Sequence, residues 1–192
     1  MIGGALRTVP RLVSPSCEAH ASFLEALAEY HAERRHLELP ADRLADPWEF
    51  ARYVAALCSG VERPGEPAFY LADLRGAALP TPFPDGDVPQ STYWWVAGDE
   101  YLGRLAIRRR LTSHLLAEGG HIGYAVRPSA RRRGHATAML AAALPLAAAL
   151  GIDIAHLDCE DDNVASRRVI ERNGGWLERR EAGSLYFLVP TR

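Results

Sequence analysis

The chain has 192 residues, a formal net charge of −2 and 48% hydrophobic residues, a composition typical of a globular protein and not of a disordered one. This near-neutral charge creates no overall field toward nucleic acid or an anionic membrane, so we expect neither as a partner. All 22 cationic side chains are arginine, and the absence of lysine excludes a Walker-type phosphate loop and Schiff-base chemistry.

Cysteine usage and hydropathy indicate the compartment. Cys17, Cys58 and Cys159 are too few and too scattered for a disulfide framework or a zinc site, so we expect free thiols and no metal. The most apolar run, 136–150, is too short to span a bilayer and contains Pro145. No apolar segment of a secretory signal follows the N-terminal arginines. We therefore expect a cytoplasmic protein.

The first 90 residues are predicted to contain an edge strand, two helices and a long loop. The strand covers 6–13, where Pro10 confines it to a sheet edge. Apolar residues at helical spacing predict a helix over 17–37 and a second one from Pro47, with Asp46 as its N-cap. Six prolines in 59–90 predict a loop, with one short helix near 68–74. That loop is either a lid or binding loop or an unstructured excursion.

The second half alternates strands and helices. Turn signals and period-two patterns predict strands over 92–97, 101–111, 120–126, 152–159, 176–180 and 185–189, and helices over 134–150 and 163–172. An antiparallel pair followed by strand, helix, strand, helix and strand is typical of a mixed α/β fold. Strands connected by a helix are expected to pair in parallel.

One turn between a strand and a helix carries a cluster of arginines, Arg131 to Arg133. The first N–H groups of a helix have no partner within it, and together with the helix dipole they form an anion site. Gly134 and Ala136 lack bulk, so a diphosphate could approach the backbone closely, and guanidinium groups suit phosphate geometry. The same arginines could instead form a solvated patch.

The pattern Arg131-x-x-Gly134-x-Ala136 resembles the acyl-CoA pyrophosphate loop of the GNAT superfamily of acyl-CoA N-acyltransferases. Asn163-x-x-Ser166, at the start of a helix that ends in Asn-Gly-Gly at 173–175, is similar to the second cofactor-side motif of that superfamily. Segments 119–128 and 91–96 resemble its central strand and an earlier strand of a bacterial branch of predicted acetyltransferases. The resemblance covers 91–178 well and the first 90 residues loosely.

The resemblance implies one domain over 1–192, with a cofactor-binding core at 91–192 after the N-terminal segment 1–90. Its fold would be α/β, with a mixed, mostly antiparallel sheet, a splayed parallel strand pair at the centre and helices on both faces. The co-substrate would be acetyl-CoA. The cofactor-binding residues would be Tyr124, Ala125 and Val126 for pantetheine, Arg131, Arg132, Arg133, Gly134, His135, Ala136 and Thr137 for the pyrophosphate, and Asn163 with Ser166. Asn163 could equally be a plain N-cap.

Direct attack of an amine on the thioester needs a base, a backbone donor for the oxyanion and an acid for the thiolate. His121 stands where many relatives have glutamate, and Asp158 where some place a catalytic glutamate, so either could be the base or a structural residue. Ile170 occupies the usual position of the tyrosine acid and cannot donate a proton. Tyr186 or Tyr124 could replace it, or the thiolate could leave without an acid.

The expected function is acetylation of a primary amine on a small molecule or peptide, with a homodimer possible. The alternative is a non-catalytic acyl-CoA sensor, motivated by Ile170. The glycines at 119, 120 and 123 lead into a strand instead of following one, which is the wrong order for a dinucleotide-binding oxidoreductase. Arg108, Arg109 and Arg110 could meet a carboxylate of the acceptor or form a solvated face, and nothing in the sequence identifies that acceptor.

Overall fold

Two antiparallel sheets form the centre of the fold in the computed structural model, which describes residues 8–59, 88 and 90–192. The first sheet has the strand order β1 (Arg11–Val13), β2 (Gln90–Ala97), β3 (Glu100–Arg108) and β4 (Ile122–Val126). The second sheet has the order β5 (Ile154–Glu160), β7 (Ser184–Pro190) and β6 (Trp176–Glu181). Every described strand pair is antiparallel.

The helices of the described residues lie between and beside these strands. They are α1 (His20–Ala32), α2 (Ala41–Leu44), α3 (Pro47–Cys58), α4 (Ser113–Ala117), α5 (His135–Ala149) and α6 (Val164–Arg172), with short 3₁₀ turns at Cys17–Ala19 and Pro128–Ala130. None of these helices is long and apolar enough to cross a membrane.

The side chains of the central strands alternate between two hydrophobic cores. Trp94 and Tyr101 belong to the core under α1 and α3, where Phe23 stacks on Trp94 at a centroid distance of 5.4 Å. Trp95 and Leu105 belong to the core under α5. Because successive residues of a strand face opposite sides, the pair Trp94-Trp95 contributes one indole to each core. The expected helices on both faces of the sheet are therefore confirmed.

Most helices and strands begin or end where short sequence signals, such as caps and turns, predicted. Asp46 caps α3 by accepting hydrogen bonds from the N–H groups of Trp48 and Glu49, as predicted. The helix predicted over 17–37 ends earlier, at Ala32, because Arg34 and His36 have left-handed backbone (φ 57° and 53°). The strand predicted over 101–111 ends at Arg108, since the chain turns into α4, which the sequence analysis missed. The predicted loop lies almost wholly outside the described residues.

The strands expected to form a parallel pair, β4 and β5, lie in different sheets. Within the described residues they are joined by a backbone hydrogen bond from His121 N–H to His156 C=O, at 2.7 Å, just before β4 begins. Gly120 permits this approach, because a Cβ there would lie 2.3 Å from the same carbonyl oxygen. The parallel arrangement beyond this junction stays a prediction.

Candidate active site

The N-terminus of α5 presents unpaired backbone donors. Gly134 is its N-cap with left-handed backbone (φ 84°), and no side chain caps the helix. The first intrahelical bond of α5 is that from Ala138 N–H to Gly134 C=O, so the N–H groups of residues 135–137 have no helical partner. Apart from Gly134 and the adjoining backbone, no described heavy atom lies within 4 Å of the place a Gly134 Cβ would take. This end of the helix is therefore open to an anion.

Helix α1 holds the loop in front of α5. The buried Arg127 donates to Glu29, which also accepts hydrogen bonds from the N–H and hydroxyl of Ser129 at 2.8 Å. Although burial raises the pKa of Glu29, these bonds lower it overall. Arg131 forms two bonds of 2.8 Å with Glu33. The loop is thus fixed by a set of ion pairs before any ligand arrives.

The three arginines of the loop consequently differ. The Arg131 guanidinium donates hydrogen bonds to the Glu33 carboxylate and, at 3.2 Å, to the C=O of Val126. Arg132 and Arg133 are exposed, and neither forms an ion pair with another described residue. The sequence does show an acidic face, because Glu25, Glu29 and Glu33 recur every fourth residue, but it does not show that this face pairs with the loop.

The outer edge of β4 carries backbone groups that no described strand pairs, although the Val126 C=O accepts from the Arg131 side chain. The β3–β4 ladder is bounded by bonds from Arg108 N–H to His121 C=O and from Arg127 N–H to Leu102 C=O. Since alternate residues of an antiparallel strand bond to one neighbour, Tyr124 and Val126 direct their backbone groups away from β3. Ala125 directs its own toward β3, and its side chain packs in the α1 core. Of the three expected pantetheine contacts, two have backbone groups on this edge.

The motif at the start of α6 has a structural role in capping that helix. Asn163 Oδ1 accepts a hydrogen bond from Ser166 N–H at 3.0 Å, which makes it the N-cap. The Ser166 hydroxyl lies 2.7 Å from the Tyr124 hydroxyl, so β4 is connected to α6. Burial raises the pKa of Tyr124 to about 12.

His121 lies at the junction of the two sheets, with one ring nitrogen in use. Its Nδ1 accepts a hydrogen bond of 2.9 Å from the backbone N–H of His156, so the neutral ring carries its proton on Nε2. Burial, together with the neighbouring His156, lowers the pKa of His121 to about 4. Taking up a second proton would break the bond to His156. This geometry suits a structural acceptor better than a base.

Asp158 and Tyr186 face each other on paired strands and hold the segment after α4. Asp158 Oδ1 accepts from Gly119 N–H at 2.8 Å, and the Tyr186 hydroxyl donates to Ala117 C=O at 2.8 Å. Burial raises the pKa of the half-buried Asp158 carboxyl. The Arg179 guanidinium lies over the Tyr186 ring, 3.8 Å from its centroid. The structure therefore brings Asp158 and Tyr186 together across β5 and β7, two residues along β5 from His156.

Other expected residues have core or packing positions. Ile170 is fully buried, and Cys159 faces the α5 core. His135 Nδ1 accepts from the Trp95 indole N–H at 3.3 Å. Arg108 donates to the carbonyls of Gly119 and Gly120, a role the sequence analysis missed. Among the described residues no group of three potential His, Cys, Asp or Glu ligands could hold a metal ion.

A family model, Acetyltransferase (GNAT) domain, matches residues 24–175. None of the curated proteins matches the sequence.

Solved structures share the fold at low identity. Mycobacterium smegmatis RimJ in complex with CoA-disulfide is 18% identical with a TM-score of 0.60, over 97% of this chain and 86% of that one. RimL, a ribosomal L7/L12 alpha-N-protein acetyltransferase in complex with coenzyme A, is 17% identical with a TM-score of 0.56, over 97% and 96%. The protein yncA from Salmonella typhimurium with its cofactor acetyl-CoA is 13% identical with a TM-score of 0.53, over 95% and 94%.

Proposed function

Since the chain belongs to the GNAT acetyltransferase domain family, we propose that it transfers an acetyl group from acetyl-CoA to a primary amine. The observation that carries this proposal is the uncapped N-terminus of α5, next to the free outer edge of β4. A helix end with unpaired N–H groups favours a phosphate, and an unpaired strand edge favours an extended amide-bearing chain. Acetyl-CoA contains both chemical groups.

The residues present fit this co-substrate. The N–H groups of His135, Ala136 and Thr137 would receive the pyrophosphate, and Gly134 leaves the approach open. Arg132 and Arg133 would add positive charge, while Arg131 would contribute mainly by holding the loop against α1. Tyr124 would bind pantetheine through its backbone N–H and C=O, and Val126 through its N–H, because the Val126 C=O accepts from Arg131. When bound, acetyl-CoA supplies an activated acetyl thioester.

We assign the base to Asp158 in preference to His121. A carboxyl whose pKa burial raises is a better proton acceptor at neutral pH than one with its ordinary pKa. His121 would have to give up the bond to His156 in order to accept a proton. In this assignment His121 acts as a structural acceptor that keeps the two sheets together.

The leaving thiolate needs no dedicated acid in our proposal. Ile170 is in the core, and the Tyr186 hydroxyl donates to the C=O of Ala117. A thiol with a pKa of about 8.5 is a fair leaving group at neutral pH. The protein would then accelerate the reaction chiefly by holding the reactants and accepting the proton of the amine.

The acceptor that we favour is the amino group of a peptide or protein. RimL, which shares the fold, is named as an acetyltransferase of a ribosomal protein N-terminus. Small amines stay in the proposal as acceptors.

The first experiment measures binding and turnover together. Acetyl-CoA at about 100 times its dissociation constant should stabilise the protein by roughly 2.7 kcal/mol, seen as a rise in Tm. Release of CoA is then measured over a panel of peptides with free N-termini and of small amines. No rise in Tm with folded, cofactor-free protein would contradict the proposed site.

A second candidate is an acyl-CoA sensor without catalysis. It is favoured by the engagement of three candidate catalytic groups, since His121, Asp158 and Tyr186 all hold neighbouring backbone. A rise in Tm with no CoA release across the panel would support the sensor.

A further inference from the structure

One carboxylate of α1 fastens the backbone of the loop in front of α5. In the part of the chain that the structure describes, the backbone of residues 128–133 bonds only within the loop, to Arg127 and to Glu29, which accepts from the Ser129 N–H. The other carboxylate at this loop, Glu33, bonds to a side chain, that of Arg131. No sequence motif singles out Glu29, which lies 100 residues before Ser129.

Glu29 connects the loop to the end of β4 through its two carboxylate oxygens. Oε2 accepts from the Ser129 N–H at 2.8 Å. Oε1 accepts from the Ser129 hydroxyl at 2.8 Å and from Nε of the buried Arg127 at 3.1 Å. Arg127 directly follows β4, and its own N–H donates to the C=O of Leu102 on β3. The carboxylate therefore sets where the loop lies relative to the first sheet.

This connection acts on one half of the proposed acetyl-CoA site. The loop that Glu29 holds leads directly to Gly134 and to the unpaired N–H groups of α5, where the pyrophosphate is proposed to bind. The pantetheine edge at Tyr124 is held instead by the ladder between β3 and β4, to which Glu29 makes no bond. Loss of Glu29 should therefore affect the two halves differently.

The loop needs an anchor because its backbone is strained. Arg132, which is not a glycine, has left-handed backbone (φ 61°), a conformation that costs free energy unless the surroundings impose it. A loop that is already ordered loses less conformational freedom when a ligand binds, so the ligand binds more tightly. The bonds of Glu29 thus favour the pyrophosphate although the carboxylate repels phosphate at close range.

We propose that Glu29 is a positioning residue for the pyrophosphate of acetyl-CoA: it raises the affinity by holding the loop 128–133 in place and makes no contact with the co-substrate. The inference rests on the proposed function for the identity of that co-substrate. The competing explanation is that Glu29 serves only as the counter-charge of the buried Arg127.

Two substitutions separate these roles. In Glu29→Gln the amide oxygen can still accept from Arg127, which only donates, but the NH2 group cannot accept from the Ser129 N–H. Glu25, 3.5 Å from the Arg127 guanidinium, keeps a negative charge beside it. Glu29→Asp keeps the charge at this position, but its shorter side chain does not span Arg127 and Ser129 together.

Ser22→Ala is the matched control on the same helix. The Ser22 hydroxyl oxygen accepts from Arg127 at 3.1 Å and from the Tyr101 N–H at 2.9 Å, and it has no bond to the loop. This variant weakens the surroundings of Arg127 and leaves the bonds between Glu29 and Ser129 intact.

The experiment measures two ligands on each folded variant. Calorimetry gives the affinity for acetyl-CoA, and NMR titration gives that for S-acetylpantetheine, which lacks the pyrophosphate and the nucleotide. We expect both Glu29 variants to bind acetyl-CoA at least about tenfold more weakly and S-acetylpantetheine within about threefold of the wild type. Ser22→Ala should have a lower Tm and wild-type affinity for both ligands.

Hydrogen exchange without ligand tests the position of the loop directly. In Glu29→Gln the amide protons of residues 129–131 should exchange at least about tenfold faster than in the wild type, because the Ser129 N–H has lost its acceptor. Acetyl-CoA at saturation should restore their protection. Ser22→Ala should exchange as the wild type does.

The outcomes separate the inference from the proposed function. Wild-type affinity for acetyl-CoA in the folded Glu29 variants, or an equal loss of affinity for both ligands, overturns the inference and leaves Glu29 as the counter-charge of Arg127. The proposed function withstands that result, since the wild type still binds acetyl-CoA. A wild type that does not bind acetyl-CoA would instead overturn the proposed function itself.

Discussion

The two ends of β4 are built in opposite ways. At its beginning, which we call the closed end, residues 119–121 bond to β5 through His121 and Asp158. At the other, the open end, the Tyr124 backbone and the Val126 N–H on the outer edge of β4, and the first N–H groups of α5, have no partner among the described residues, whereas the Val126 C=O accepts from Arg131. Helix α6, which follows β5, is capped by Asn163, whereas α5 has no cap. Of these two helices, only α6 has one of its first N–H groups satisfied by a capping side chain.

Because the two ends of β4 differ in this way, substitutions at each end are expected to affect different properties of the protein. Changes at the closed end disturb hydrogen bonds that the folded chain already makes, so they alter stability or proton transfer. Changes at the open end affect backbone groups that the folded chain leaves unpaired, so they alter ligand binding more than stability. Each of the following substitutions tests one side of this contrast.

The largest expected effect is that of Asp158→Asn at the closed end. If Asp158 is the base, the substitution should lower kcat by about 10²- to 10⁴-fold with little change in acetyl-CoA affinity. The amide keeps the shape of the carboxylate and can still accept from Gly119 N–H. Steady-state kinetics and calorimetry check the two quantities.

His121→Asn is the matched variant, because its side-chain oxygen can still accept from His156 N–H. We expect kcat within about threefold of wild type. If only this substitution slows turnover, the assignment of the base to Asp158 is wrong.

The structural role of His121 can also be tested through the pH dependence of the free energy of unfolding. Its pKa is about 4 in the folded state and 6.5 in the unfolded state, so unfolding takes up a proton between these values. The contribution of the neutral ring is present above pH 6.5 and is lost as the pH falls toward 4. Denaturant titrations should show a smaller loss over this window in His121→Asn.

At the open end, Gly134→Glu should weaken acetyl-CoA binding by at least about 10²-fold. A carboxylate there places bulk and negative charge before the unpaired N–H groups of α5. The open space around Gly134 lets the chain fold, apart from a cost of about 1–2 kcal/mol for left-handed backbone. Calorimetry measures the affinity. Gly134→Asn is the control, because asparagine tolerates left-handed backbone, and this variant should retain most of the acetyl-CoA affinity. Equal affinity in the two variants would show that the loop is only a solvated turn.

Gly120→Ala should destabilise the closed end by about 2–5 kcal/mol. Its methyl group would lie 2.3 Å from His156 C=O, in addition to the strain of φ +55°. Gly183→Ala carries similar strain (φ +83°) into open space and should cost only about 1–2 kcal/mol. Unfolding in urea compares the two variants, and equal losses would show that the closed end is not tightly packed.

The smallest effect is expected for Asn163→Ala, at the capped helix. Loss of the bond to Ser166 N–H should cost about 1 kcal/mol of stability. Acetyl-CoA affinity should change by less than about threefold. A large loss of affinity without a loss of stability would instead make Asn163 a cofactor ligand.

The sequence by itself determined the features that depend on neighbouring residues. The cap at Asp46, the hairpin turn at Gly98-Asp99, the start of α5 after Gly134 and the alternation of Trp94 and Trp95 all follow from local chemistry. They were predictable because caps, left-handed glycines and strand alternation act within a few residues. The motif around Arg131 likewise located the open helix end.

The tertiary structure alone decided how the candidate side chains are used. Arg131 is engaged by Glu33, 98 residues away in sequence, and His121 Nδ1 by His156. The same holds for Tyr30 and His36, which line one cavity and each have a buried polar atom without a partner in the described part of the chain. Partners so distant in sequence leave no periodic signal, and whether a polar atom finds one depends on how helices and sheets pack. Packing therefore separates the groups that maintain the fold from those left free for a ligand.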